Sequence, residues 1–143
     1  METTRILLVD DETEFTDSMS RLLRNRGYQV TAVNSGQEAI KCLGQGRFDV
    51  MVLDLKMPGM DGMTTLKEAK RLNVFTETLI LTGHATVDTA LEAIKLGAYD
   101  YLTKPCEIDD LVRKIQGAGE KKEATEKQEF GKRIDKIVEG KTF

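Results

Sequence analysis

Five polar residues stand immediately after, or at the end of, short apolar runs. Asp54 follows Val50-Met51-Val52-Leu53 and precedes a loop, Leu55-Lys56-Met57-Pro58-Gly59-Met60-Asp61-Gly62, that turns on one proline and two glycines. Asp10 and Asp11 follow Ile6-Leu7-Leu8-Val9, Thr82 follows Thr78-Leu79-Ile80-Leu81, and Lys104 follows Tyr99 to Thr103. If these runs are parallel strands, all five residues collect at one carboxyl edge, the usual ligand edge of an open α/β sheet. Three carboxylates brought together repel one another, and a divalent cation among them relieves the repulsion. Oxygen donors without His or Cys suit Mg²⁺, with Mn²⁺ as a substitute. A lysine beside them supplies a point charge for a phosphoryl oxygen, and a threonine hydroxyl supplies a donor. Such parts stabilise charge during phosphoryl transfer, which is mostly positioning and electrostatics. A carboxylate can be the covalent nucleophile. Asp54 is the candidate because it ends the central buried run. Asp10 and Asp11 suit metal holding, and as neighbours on an extended chain they point to opposite sides and contribute unequally.

The elements that must position these residues alternate. Phe15, Met19, Leu22 and Leu23 recur at helical spacing, and Gly27 ends that helix. Tyr28 to Val33 reads as a second strand. Ser35-Gly36-Gln37-Glu38 has the form of a capping box, with Ala39, Ile40 and Leu43 as the buried face behind it. A third helix starts at Asp61 or Gly62 and uses Met63, Leu66, Ala69 and Leu72. A fourth runs from about Val87 to Leu96, and a fifth begins near Glu107 with Ile108, Leu111, Val112 and Ile115. Five strand-then-helix repeats imply right-handed crossovers and a doubly wound five-stranded parallel sheet; a closed barrel would need eight.

The totals agree with one α/β domain. The chain has 143 residues, 40% hydrophobic and 31% charged, enough to bury a core without staples. A net charge of −3 gives no basic footprint for direct nucleic-acid binding. Ile6 to Val9 is too short for a signal-peptide core or a membrane span. Cys42 and Cys106 lack metal spacing and read as free thiols in a reducing cytoplasm. From about Gln116 the character changes: Gly117 and Gly119 interrupt the helical pattern, and from Glu120 onward the chain is densely charged. We therefore expect a domain over 1–118 and a charged tail over 119–143. Phe130, Ile134, Ile137 and Val138 could form a short amphipathic helix in that tail.

The ordered set Ile6 to Glu12, Asp49 to Asp54, Met57 to Gly62, Leu81-Thr82-Gly83 and Tyr101-Leu102-Thr103-Lys104-Pro105 resembles the receiver domain of two-component response regulators, over about residues 4 to 118. Leu-Thr-Gly-His-Ala at 81–85 is most similar to receivers of the nitrogen-regulator type. The resemblance implies a flavodoxin-like (βα)₅ fold with strand order 2-1-3-4-5. It implies Mg²⁺-dependent transfer of a phosphoryl group from a sensor histidine kinase to Asp54. Asp11 would bind the metal directly, Asp10 largely through water, and the Lys56 backbone carbonyl would complete the protein ligands. Thr82 and Lys104 would hold the phosphoryl group, and Tyr101 would change rotamer with it. The face formed by helix 4, strand 5 and helix 5 would then act on a downstream protein, or on a second copy as a homodimer.

A second reading is a Mg²⁺-dependent phosphohydrolase working through an aspartyl phosphate. Such enzymes place an acid two residues after the nucleophile, where this chain has Lys56, and need a cap for which 143 residues leave little room. The expectation is a self-directed signalling module, not an enzyme. A flavin binder is disfavoured because Asp10-Asp11-Glu12 would repel a flavin phosphate. His84, the sole histidine, reads as polar loop surface, and Met57, Met60 and Met63 as packing.

Overall fold

A computed structural model describes residues 3–72 and 75–140. Among them, five parallel strands lie in the order β2-β1-β3-β4-β5. They are β1 (Arg5–Val9), β2 (Gln29–Val33), β3 (Val50–Leu53), β4 (Glu77–Thr82) and β5 (Asp100–Thr103). The helices are α1 (Thr13–Asn25), α2 (Gly36–Gln45), α3 (Gly62–Leu72), α4 (Val87–Lys95) and α5 (Ile108–Gly140). The continuous apolar runs became the central strands: β3 and β4 are buried throughout, and β1 after its first residue. The edge strands β2 and β5 are only half-buried.

The two faces carry separate cores. Leu23 of α1 and Leu111, Ile115 and Ala118 of α5 cover Ile6, Leu8, Val52 and Leu79. Ala39 and Leu43 of α2, Leu66 and Ala69 of α3 and Ala93 of α4 cover Leu7, Val9, Met51, Leu53 and Ile80. Side chains alternate along each strand, so each central strand feeds both cores.

Register fixes where the rim residues stand. Val9 pairs with Leu53, so Asp10 and Asp54 leave the sheet side by side. Thr82 pairs with Thr103, so Lys104 follows at the same edge. The ladders run one residue past the strands: Asp54 N donates to Val9 O at 3.0 Å, and Lys104 N to Thr82 O at 2.8 Å.

Some packing differs from the periodicity. Leu22 is 45% and Leu72 53% exposed, although both read as core-facing. In α1 the buried stripe is Thr16, Met19, Ser20 and Leu23. Thr16 is a polar residue that can lie inside because its hydroxyl donates to Thr13 O (3.0 Å) and accepts from Asn34 Nδ2 (3.1 Å). The capping box forms in part: Ser35 Oγ accepts from Glu38 N, but the Glu38 carboxylate reaches Asn34 N.

The expected interruption at Gly117 and Gly119 does not occur. The helix α5 continues to Gly140, about 50 Å at 1.5 Å per residue. Gly117 is needed for packing, since a Cβ there would lie 2.3 Å from Tyr99 Oη. Beyond Ala118, the last buried residue of α5, ion pairs hold the helix to the sheet's amino edge: Lys121 to Glu77 (3.7 Å) and Lys122 to Asp49 (3.0 Å). Pairs one turn apart, Lys122 with Glu126 and Glu123 with Lys127, support it further.

Candidate phosphoacceptor site

The rim gathers four of the five residues singled out in the sequence around one ammonium group or on the strands beside it. Asp10 and Asp54 are 1% and 3% exposed, and Thr82 is fully buried. Lys104 Nζ donates to Asp10 Oδ2 at 2.5 Å and lies 3.7 Å from Asp54 Oδ2 and 3.8 Å from Glu12 Oε1. Asp10 Oδ1 accepts from Glu12 N at 3.0 Å, and Asn34 Nδ2 donates to the Asp10 carbonyl. Asp54 Oδ1 accepts a long bond, 3.4 Å, from Lys56 N. Thr82 Oγ1 accepts from His84 N at 3.2 Å. Tyr101 is half-buried against the core that α2, α3 and α4 cover. The side chains of Lys56 and His84 are exposed.

Asp11 stands outside the tightest carboxylate group. It is exposed, and the carboxylates whose oxygens lie within 4.8 Å of one another, among the described residues, are Asp10, Glu12 and Asp54. Glu12 is the member that reasoning from sequence passed over. The signal was present: Glu12 is two residues from Asp10, the spacing that returns an extended chain to the same side. An all-oxygen group of three carboxylates facing one lysine fits a hard divalent cation.

Asp10 and Lys104 both shift upward, for different reasons. Burial is the largest influence on Asp10 and raises it, with Asp54 adding to the rise and Lys104 opposing it. Burial is also the largest influence on Lys104 and pulls it down, but Asp10, Asp54 and Glu12 together outweigh it. A carboxyl raised on folding contributes less stability as pH climbs from its ordinary value through its folded value. At neutral pH the raised Asp10 is therefore a cost to the metal-free fold, opposed by the raised Lys104, whose contribution is present below its ordinary titration range. Mg²⁺ is expected to raise the melting temperature at pH 7, and the gain should vanish as the pH falls through the raised Asp10 titration, where protons displace the cation. Thermal melts with and without Mg²⁺ across pH 4 to 8 measure this; a Mg²⁺ gain that is constant with pH would contradict it.

The family model described as "Response regulator receiver domain" matches residues 6–116. The chain belongs to that family. Receiver domains are signalling modules of two-component response regulators, and their general function is phosphorylation-dependent switching. They generally bind Mg²⁺ and interact with histidine kinases. This receiver is 42% identical over 113 residues to the transcriptional regulatory protein ZraR of Escherichia coli strain K12, covering 79% of this chain and 26% of ZraR. The match thus spans about a quarter of the length of ZraR and of the similarly matched AtoC of Escherichia coli. A CheY-like receiver domain from Methanospirillum hungatei JF-1 superposes with a TM-score of 0.83 at 29% identity, over 87% of this chain and 99% of that one. A response regulator from Burkholderia pseudomallei, solved with a phosphorylated aspartic acid, a calcium ion and citrate, gives 0.76 at 30% identity, over 88% of this chain and 74% of that one. No described helix is long and apolar enough to cross a membrane.

Proposed function

We propose that Asp54 accepts a phosphoryl group from a phosphohistidine of a sensor histidine kinase and that the acyl phosphate switches the face formed by α4, β5 and α5. One observation supports this above the others: of the two buried rim carboxylates, Asp54 has the freer oxygens. Asp10 is tied at 2.5 Å to Lys104 and at 3.0 Å to Glu12 N, whereas the nearest partners of Asp54 stand at 3.4 and 3.7 Å. An Asp54 oxygen forms the new P–O bond as the donor's P–N bond breaks. The electron pair leaves on the imidazole nitrogen, which then takes up a proton.

Asp10, Asp11, Asp54 and the Lys56 carbonyl form the ligand set the family pattern implies, and Glu12 is added by its place in the carboxylate group. A bound Mg²⁺ would neutralise charge on the phosphoryl oxygens. The Lys104 ammonium, already 3.7 Å from Asp54, pairs with one phosphoryl oxygen. The Thr82 hydroxyl donates to another and exchanges its His84 N contact for it. The space it leaves admits the Tyr101 ring. On α4, Val87, Leu91 and Ile94 lie 76%, 55% and 47% exposed at one-face spacing. They offer an apolar surface to a downstream protein or to a second copy in a homodimer.

The module acts in the cytoplasm on itself, not as an enzyme on other substrates. The hydrolase alternative lacks its acid, because the residue two after Asp54 is the exposed Lys56. The test is incubation with phosphoramidate and Mg²⁺, followed by intact mass and peptide mapping. A gain of one phosphoryl mass on Asp54 is expected, and a mass gain elsewhere would refute the assignment. Thr82→Ala should still gain the phosphoryl mass, but its amide NMR shifts should stay confined to the rim loops. Wild-type-like changes across α4, β5 and α5 in that variant would show that Thr82 is not the coupling group. Moving such a switch from 1:99 to 99:1 takes about 5.5 kcal/mol, so losing one charge-assisted hydrogen bond of about 1.5–3 kcal/mol should visibly lower the active population.

A further inference from the structure

The Lys104 ammonium has a fourth neighbour that carries no charge. Its Nζ lies 4.0 Å from the centroid of the Phe15 ring, on the side chain that α1 presents to the rim. We propose that Phe15 is the positioning residue for Lys104, holding the ammonium at the rim by a cation–π contact when the site is loaded. This rests on the reading of Asp54 as phosphoacceptor.

The argument is one of competition for charge. In the metal-free site Lys104 is held by Asp10, with Asp54 and Glu12 nearby. All three carboxylates belong to the group that can take a divalent cation. Once they do, their charge is shared with the cation, and cation and ammonium repel. The lysine then loses what held it just when the incoming phosphoryl group needs it. An aromatic face attracts an ammonium through its quadrupole, and no metal competes for that face. The contact is partly desolvated, since only 16% of the Lys104 side chain is exposed. The remaining walls of this corner, Met19, Leu81, Pro105 and Cys106, border with Phe15 and Lys104 an open cavity of about 380 Å³. None of the other four offers a ring face or a charge.

Phe15 is half-buried at the edge of that cavity, so Phe15→Leu keeps an apolar side chain and removes the ring. Two measurements test the proposal. In wild type, the Lys104 side-chain methylene protons should show an upfield ring-current shift that persists when Mg²⁺ is saturating; Phe15→Leu should abolish it. Phosphorylation by phosphoramidate should slow about tenfold in Phe15→Leu and return to within about twofold of wild type in Phe15→Tyr, which keeps the ring. Loss of the wild-type ring-current shift on adding Mg²⁺ would overturn the proposal, as would a Phe15→Leu protein phosphorylated at the wild-type rate. Failure of wild type to be modified at Asp54 would instead defeat the reading of the site, and the NMR experiment still reports on Phe15 alone.

Discussion

Asp54→Asn is expected to gain no phosphoryl mass from phosphoramidate or from a phosphorylated kinase domain, under conditions where wild type is fully converted. An amide oxygen is a far weaker nucleophile than a carboxylate, and no second group is poised to take over. Asp10, the nearest alternative, would have to break a 2.5 Å bond to Lys104 and a 3.0 Å bond from Glu12 N to free an oxygen. Glu12 is exposed to solvent, unlike the buried Asp54. The loss should be chemical and not structural. Asn fits the same space and can still accept from Lys56 N, and the removed charge lowers the repulsion among the rim acids. Far-UV circular dichroism and the urea midpoint should therefore report a folded protein. Lowering the count of carboxylates also weakens the cation site, so the Mg²⁺-dependent rise in melting temperature should shrink in the same variant. Full phosphorylation of Asp54→Asn, mapped to Asp10, would move the acceptor one strand over and overturn the mechanism.

The sheet was legible because its central strands carry unbroken apolar runs, and Asp10, Asp54 and Thr82 each sit one position past such a run. Once Ile6 to Val9, Val50 to Leu53 and Thr78 to Leu81 are taken as parallel, the rim follows from connectivity alone, and the observed register of Val9 with Leu53 and Thr82 with Thr103 places Asp10, Asp54 and Lys104 there. What periodicity could not show was polar burial. Thr16 and Ser20 take the buried stripe of α1 and leave Leu22 outside it; for Thr16 this is tolerated because its hydroxyl finds the Thr13 carbonyl and the Asn34 amide. The course of α5 was misread for a related reason. Two glycines weaken a helix locally by about 1 kcal/mol each, and from the sequence that looked like an end. The ion pairs from Lys121 and Lys122 to Glu77 and Asp49 join residues more than forty positions apart, and the Tyr99 hydroxyl fills the space over Gly117. That Glu12 joins Asp10 and Asp54 was equally beyond reach, since it depends on side-chain positions that spacing alone does not give.

Gly62→Ala is expected to destabilise the fold by about 3 kcal/mol, while the same chemical change at Gly44 stabilises it by up to about 1 kcal/mol. A Cβ at position 62 would lie 2.4 Å from both the Asp54 carbonyl oxygen and Leu55 Cα. These are backbone atoms just past a fully buried strand, so they cannot swing aside as a side-chain tip can. Either the first turn of α3 lifts away from the end of β3, or the Asp54–Leu55 peptide shifts. The first weakens the 2.9 Å bond from Gly62 N to Leu55 O and loosens Leu66 and Ala69 in the core. The second moves the acceptor itself relative to Lys104. At Gly44, inside α2, a Cβ meets nothing within 4 Å, so the added methyl only restricts the unfolded chain and favours the helix. Urea unfolding of both variants gives the opposite signs directly, with an unchanged slope if the unfolded states are alike. Phosphorylation measured per folded molecule separates the two routes for Gly62→Ala. A near-normal rate means the helix has moved, and a rate down by tenfold or more means the acceptor loop has. A Gly62→Ala protein as stable as wild type would show that the contact between α3 and the acceptor loop is not the tight one described, and with it that the backbone of position 54 is not held from behind.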